Sequence, residues 1–154
     1  MTVLSVPPAA DPTASLVRSV RRIAQAIDVR SREISRLTGL TLPQLLVLQS
    51  IRALGEVSTS AISRDVSMSS PTVVAVLDRL EAKGLIVRYR SGTDRRVVHA
   101  RLTDAGLAAL KDAPGLMGAE VLARWSVLPP ERQQTMAGAM AIFADLMAGE
   151  ARPA

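Results

Sequence analysis

The chain has 154 residues, 48% of them hydrophobic but only 2% aromatic, with no cysteine and a net charge of +5. That length lets one helical domain bury a core without staples, and a core of Leu, Val, Ile, Ala and Met suits close helix packing better than a β-sandwich. The lack of cysteine excludes a disulfide framework, a thiolate metal site and thiol-based peroxide sensing.

Residues 1–12, with Pro7, Pro8 and Pro12, read as a disordered lead-in to a single domain over 13–150. From Leu16 the apolar positions Leu16, Val20, Ile23, Ile27, Ile34 and Leu37 recur at helical spacing, broken by Arg30, and predict a long amphipathic helix. Thr41 should cap a second helix through Leu54, with Pro43 in its first turn and Gly55 ending it. The N-terminal segment lacks a basic n-region, and the longest uncharged stretch, Leu37 to Ile51, is interrupted by Thr38, Gly39, Thr41, Pro43 and Gln44. No membrane span is expected, which places the chain in the cytoplasm.

Ser58 or Thr59 can cap a short helix carrying Ala61, Ile62 and Val66, which runs into a turn at Ser67, Met68 and Ser69. Ser70, ahead of Pro71, is the expected N-cap of a further helix reading to Lys83, with Gly84 as its stop. Two short helices joined by a tight turn make a helix-turn-helix. In its second helix Val73, Val76, Leu77 and Leu80 should point inward at i, i+3, i+4 and i+7. Ser69, Ser70, Pro71, Thr72, Val74 and Ala75 are then left outward near the N-terminal end, and Arg79 on the flank. Presented to a major groove, Ser70 and Thr72 offer hydroxyl contacts, Val74 and Ala75 offer methyl contacts to thymine, and Arg79 suits a phosphate.

After Gly84 the period changes to alternation, so Leu85–Arg90 and Val97–Leu102 read as a hairpin turning at Ser91-Gly92-Thr93-Asp94. Between residues 83 and 101, Lys83, Arg88, Arg90, Arg95, Arg96 and Arg101 stand against Asp94 alone, which is the chain's whole charge excess. Arg90, Arg95 and Arg96 crowd the tip and repel one another, which calls for a nearby polyanion; a thin hairpin can reach a minor groove. Asp94 is expected to hold the Arg96 guanidinium in position. His99, the only histidine, alternates within a strand and reads as a structural or phosphate-near residue.

Thr103 should cap the next helix, through Leu110, with Asp104 in its first turn; Pro114-Gly115 ends or kinks it, and apolar periodicity resumes from Leu116 through Val121, Leu122 and Trp125. Trp125 reads as core filling, with pocket lining the alternative. A last helix opens at Pro129-Pro130-Glu131, where Met136, Met140, Phe143 and Met147 fall at i, i+4, i+7 and i+11. That narrow seam is expected to be a helix–helix contact at a dimer interface. The fold class that follows is mostly α with a small β-hairpin wing: a winged helix-turn-helix lobe over 41–103 and dimerisation helices over 13–37 and 104–150.

Asp94-Arg95-Arg96, leading through Val97-Val98-His99-Ala100-Arg101 to Leu102-Thr103-Asp104-Ala105-Gly106, resembles the MarR family signature of Asp-x-Arg in the wing followed by Leu-Thr-x-x-Gly. Leu77 to Leu85 also resembles the family's recognition-helix exit. The resemblance implies a homodimer whose first and last helices form the interface and whose two lobes occupy neighbouring half-sites of double-stranded DNA. It further implies that Arg96 enters the minor groove with Asp94 as its positioning partner. A repressor released by a small aromatic or phenolic effector is the implied regulation, with no cofactor. Two features depart from the family pattern: Pro114-Gly115 interrupts a usually continuous helix, and Val74 and Ala75 stand where relatives often carry polar or basic residues. An enzyme is not expected, since there is no cysteine nucleophile, a single wing histidine and no glycine-rich phosphate loop. The alternative is a winged-helix architectural or protein-interaction module without operator specificity.

Overall fold

The computed structural model describes residues 11–149, in the order α1 (Pro12–Thr38), α2 (Leu42–Leu54), β1 (Val57–Ser58), α3 (Thr59–Val66), α4 (Ser70–Ala82), β2 (Ile86–Arg90), β3 (Val98–Leu102), α5 (Asp104–Lys111), α6 (Ala119–Ser126) and α7 (Pro130–Ala148). The described residues fall into two compact units, one ending at Leu116 and the other beginning at Met117. Mostly helical, with one small antiparallel sheet, the architecture is the expected winged helix-turn-helix. Of the expected lead-in, residues 1–10 lie outside the described residues. Asp11 and Pro12 do not belong to it: the Asp11 carboxylate accepts from the Thr13 amide at 3.0 Å and Pro12 opens α1.

In the first unit α2 is the central element, packing on α3, α4, α5 and β3. Its entry is fixed by a reciprocal capping box between Thr41 and Gln44. Leu45, Leu48 and Ile51 from α2 meet Ile62 of α3, Val73, Leu77 and Leu80 of α4, and Ile86 of β2, all essentially removed from water. Only the C-terminal end of α1 joins them, through Ile34, whereas Leu16, Val17, Ile23 and Ile27 remain exposed. The amphipathic stripe of α1 is therefore mostly unburied within this chain.

The sheet has the order β1-β3-β2, antiparallel throughout, with Tyr89 opposite His99 and Val57 opposite Ala100. Strand β1 was not readable from alternation, because two residues are too few to show a period. The α3–α4 turn is tightened by Ser67, whose φ of 54° lies in the left-handed region. Its neighbour Ser69, not Ser70, is the N-cap of α4 and accepts from the Thr72 amide. Ser70 and Pro71 occupy the first helical turn, where the N–H that proline lacks has no intrahelical partner in any case.

The Leu-Thr-x-x-Gly segment is a structural joint. Thr103 donates its hydroxyl to the Gly84 carbonyl at 2.7 Å and accepts from the Gly106 amide at 3.1 Å, so one side chain both caps α5 and ties it to the exit of α4. A Cβ on Gly106 would lie 2.0 Å from the Leu85 carbonyl oxygen, so only glycine allows this approach.

In the second unit Gln133 donates to the carbonyls of Trp125 and Leu128, closing the turn from α6 to α7. Neither helix has a buried residue. Trp125 is half-buried and so does not fill a core, which lies entirely in the first unit. Met136, Met140 and Met147 are exposed and Phe143 half-buried, and the apolar surface is wider than the expected seam: Ile142 and Leu146 are exposed too. At about 100° per residue Leu146 sits roughly a quarter-turn, and Ile142 more than a third of a turn, from the middle of the methionine row.

Candidate nucleic-acid interface

Helix α4 presents the expected faces. Val73, Leu77 and Leu80 are fully buried and Val76 nearly so, while Ser69, Ser70, Pro71, Thr72, Val74, Ala75 and Arg79 are exposed. Burial of one face fixes the rotation of the helix, which decides what the other can touch. The Thr72 hydroxyl lies 2.8 Å from that of Ser69, so the two form a local pair at the cap. Backbone amides of the first turn point outward with the positive end of the helix dipole, a site suited to a phosphate.

The wing tip is organised by its own hydrogen bonds. Ser91 Oγ accepts from the amides of Thr93 and Asp94, the Ser91 amide donates to the Val97 carbonyl, and the Val97 amide donates to that of Asp94. The Arg90 guanidinium donates to the Arg95 carbonyl at 2.8 Å, which bends the loop back on its own strand. Asp94 differs from expectation: its carboxylate accepts from the Arg96 backbone amide at 3.0 Å rather than from the guanidinium. A two-residue reach favours the backbone, as in an Asx turn, and this leaves the Arg96 side chain outward. Arg90, Arg95, Arg96 and Arg101 have no carboxylate partner among the described residues.

The basic cluster is smaller than the linear count suggested. Arg88 lies between Asp78 and Glu81 of α4, at 2.6 Å from each. Burial works against its charge, but the hydrogen bonds it donates to those carboxylates, with their negative charge, outweigh it and hold the guanidinium above its ordinary value. Lys83 is also committed, donating to the Gly39 carbonyl and to Gln44 Oε1, which joins the end of α4 to the α1–α2 corner. Counting charge between 83 and 101 missed both, because the partners of Arg88 (Asp78 and Glu81) and of Lys83 (Gly39 and Gln44) all fall outside that window. The signal was available: period two puts Arg88 on the strand face of Ile86, where a guanidinium needs carboxylates.

On the opposite sheet face Tyr89 donates its hydroxyl to Glu56, and its ring meets His99 edge-on at 5.6 Å. The histidine is thus part of the wing's packing. An open groove of 220 Å³ lies near the α2–β1 turn, lined by Ile51, Arg52, Gly55, Glu56, Arg101, Leu102 and Leu107. No helix among the described residues is long and apolar enough to cross a membrane.

Residues 40–98 match the model of the MarR family. The chain is 35% identical over 88 residues to the HTH-type transcriptional repressor MdtR of Bacillus subtilis, a match covering 57% of each chain. The match spans 57% to 64% of the length of the first curated relatives. Among solved structures, the S. aureus MepR–DNA complex superposes with a TM-score of 0.70 at 20% identity over 89% of this chain and 99% of that one, a likeness of fold. Bordetella bronchiseptica BpsR, whose DNA binding is described as regulated by 6-hydroxynicotinic acid, superposes with a TM-score of 0.62 at 25% identity, over 85% and 99%. The three are described as a repressor, a DNA complex and a protein whose DNA binding is regulated.

Proposed function

We propose that this chain is a MarR-type, sequence-specific, double-stranded-DNA-binding transcriptional regulator acting as a cytoplasmic homodimer, a reading supported by the match of residues 40–98 to that family's model. The observation that carries the reading is the wing tip, where Arg95 and Arg96 are exposed on a loop organised by its own hydrogen bonds, together with the exposed N-terminal end of α4. Ser69, Ser70, Pro71, Thr72, Val74 and Ala75 are the groove-facing set, Arg79 the phosphate contact, and Arg90, Asp94, Arg95 and Arg96 the wing set. Asp94 contributes by shaping the loop that aims Arg96. The apolar surface of α7, with exposed Met136, Met140 and Met147 and half-buried Phe143, is the face for a second copy, as is that of α1.

Repression relieved by a small aromatic or phenolic effector is the regulatory part of the proposal, supported by the repressor relative and by the ligand named for BpsR. An effector need only favour the lobe spacing that does not fit the operator. The groove of 220 Å³ is below the roughly 300–1,000 Å³ of drug-sized sites, so it is not assigned as the effector pocket.

The test is a fluorescence-anisotropy titration against the protein's own upstream DNA and a scrambled duplex at two salt concentrations. Saturable preference for the upstream duplex by several kcal/mol supports a regulator. Equal, salt-sensitive binding to both would replace it with the architectural reading, and binding to neither with a protein-interaction module.

A further inference from the structure

Arg88 is the middle residue of β2 and its side chain is 23% exposed. One nitrogen, Nη2, lies 2.6 Å from both Asp78 Oδ1 and Glu81 Oε2; Nε lies 2.9 Å from the same Glu81 oxygen, and the Arg88 amide donates to Glu81 Oε1 at 3.4 Å. Both carboxylates belong to α4, and Asp78 follows Val74 by four residues and Ala75 by three, which puts it on the same outward row. The side chain therefore joins the strand that leads into the wing to the helix that faces the groove. On that side Ile86 anchors the base of β2 in the core, and Arg88 holds the strand to α4 further along towards the wing, on an edge strand with no neighbour beyond it among the described residues.

We propose that Arg88 is a positioning residue for DNA binding: it clamps the wing to the flank of α4, so that Arg96 and the helix N-terminus meet one duplex in a fixed relation. This rests on the DNA-binding reading above. A guanidinium shared between two carboxylates imposes direction as well as attraction, whereas pairs with exposed carboxylates, as Asp78 and Glu81 are, add little to stability. The clamp thus acts on orientation and not on the melt.

A double-mutant cycle read by anisotropy tests it, with Arg88→Ala and Arg96→Ala singly and together, and with Asp78→Asn/Glu81→Gln to break the same clamp from the helix side. Arg96→Ala is expected to weaken binding about tenfold in the wild type but less than about threefold in either clamp-broken background, at unchanged thermal melts. An equal loss in all backgrounds overturns the proposal, as does no loss in the wild type. Arg88→Lys keeps the charge but not the fork, and is expected to behave as Arg88→Ala. Full rescue by lysine would reduce Arg88 to a point charge and overturn the clamp. Amide hydrogen exchange without DNA separates this from the wider reading: exchange between residues 90 and 98 should accelerate in Arg88→Ala and in the carboxylate pair. If the wild type binds no duplex, the DNA reading fails by itself, and unchanged exchange overturns the clamp whatever the DNA result.

Discussion

Helix α4 sinks Val73, Val76, Leu77 and Leu80 into the core and turns a nearly uncharged N-terminal end outward, whereas the wing sinks little beyond Ile86 and Ala100 and turns Arg90, Arg95 and Arg96 outward. The helix is placed by packing, the wing tip by hydrogen bonds among its own loop atoms. Stability and affinity should therefore be separable: substitutions under α4 move the melt, and substitutions at the wing tip move binding while leaving the fold alone.

The largest effect belongs to the helix. Leu80→Ala should cost about 2–5 kcal/mol in a denaturant or thermal melt, since the side chain is fully buried and its removal leaves a cavity. A neutral melt would mean that α4 does not owe its place to packing, and the comparison would fall. Gly106→Ala probes the joint between the wing's base and α5, where the added methyl would collide with the Leu85 carbonyl. Forced repacking there should cost about 1–3 kcal/mol in the same melt.

These two sites also differ in how far the sequence displayed them. The inward row of α4 was legible because four apolar residues at helical spacing leave little choice of face, and the same holds for Thr41, Thr103 and Gly84 as punctuation. The caps were less so: with serines at both 69 and 70, local chemistry allows either, and the amide geometry of Thr72 selects Ser69. The wing's positive charge was legible, but not which cations are spoken for, because the partners of Arg88 are seven and ten residues away in the chain and those of Lys83 thirty-nine and forty-four. Asp94 was singled out correctly as an organiser and assigned the wrong atom, since the carboxylate serves the Arg96 amide. The α7 methionines were read as a seam, while Ile142 and Leu146 show a broader apolar face.

At the wing tip, Arg96→Ala should weaken duplex binding by about 1–3 kcal/mol and reduce the salt dependence by about one counterion, with the melt unchanged. Anisotropy at two salt concentrations beside a thermal melt checks both halves. A lowered melt would show that the wing tip carries stability after all, and unchanged affinity would remove it from the interface.

The smallest effect sharpens the comparison on the wing's far face, where Tyr89, the only tyrosine of the chain, donates to Glu56. That hydrogen bond, followed by the cost of desolvation and the nearby negative charge, raises the phenol above its ordinary value of 10.0, while Arg101 pulls the other way. A raised value in the folded state means that the protonated phenol favours folding. The associated stabilisation is fully present below the ordinary tyrosine range and is lost as pH rises through the elevated value. Because no other tyrosine absorbs, the tyrosinate band reports this group alone: its midpoint should lie above that of the unfolded chain and drop towards it in Glu56→Gln, and Arg101→Gln should raise it. If Glu56→Gln leaves the midpoint in place, the carboxylate does not anchor Tyr89. The wing would then be held only from the α4 side, by Arg88 and the core contacts of Ile86 and Ala100, and the division between a packed helix and a hydrogen-bonded wing would have to be redrawn around that single clamp.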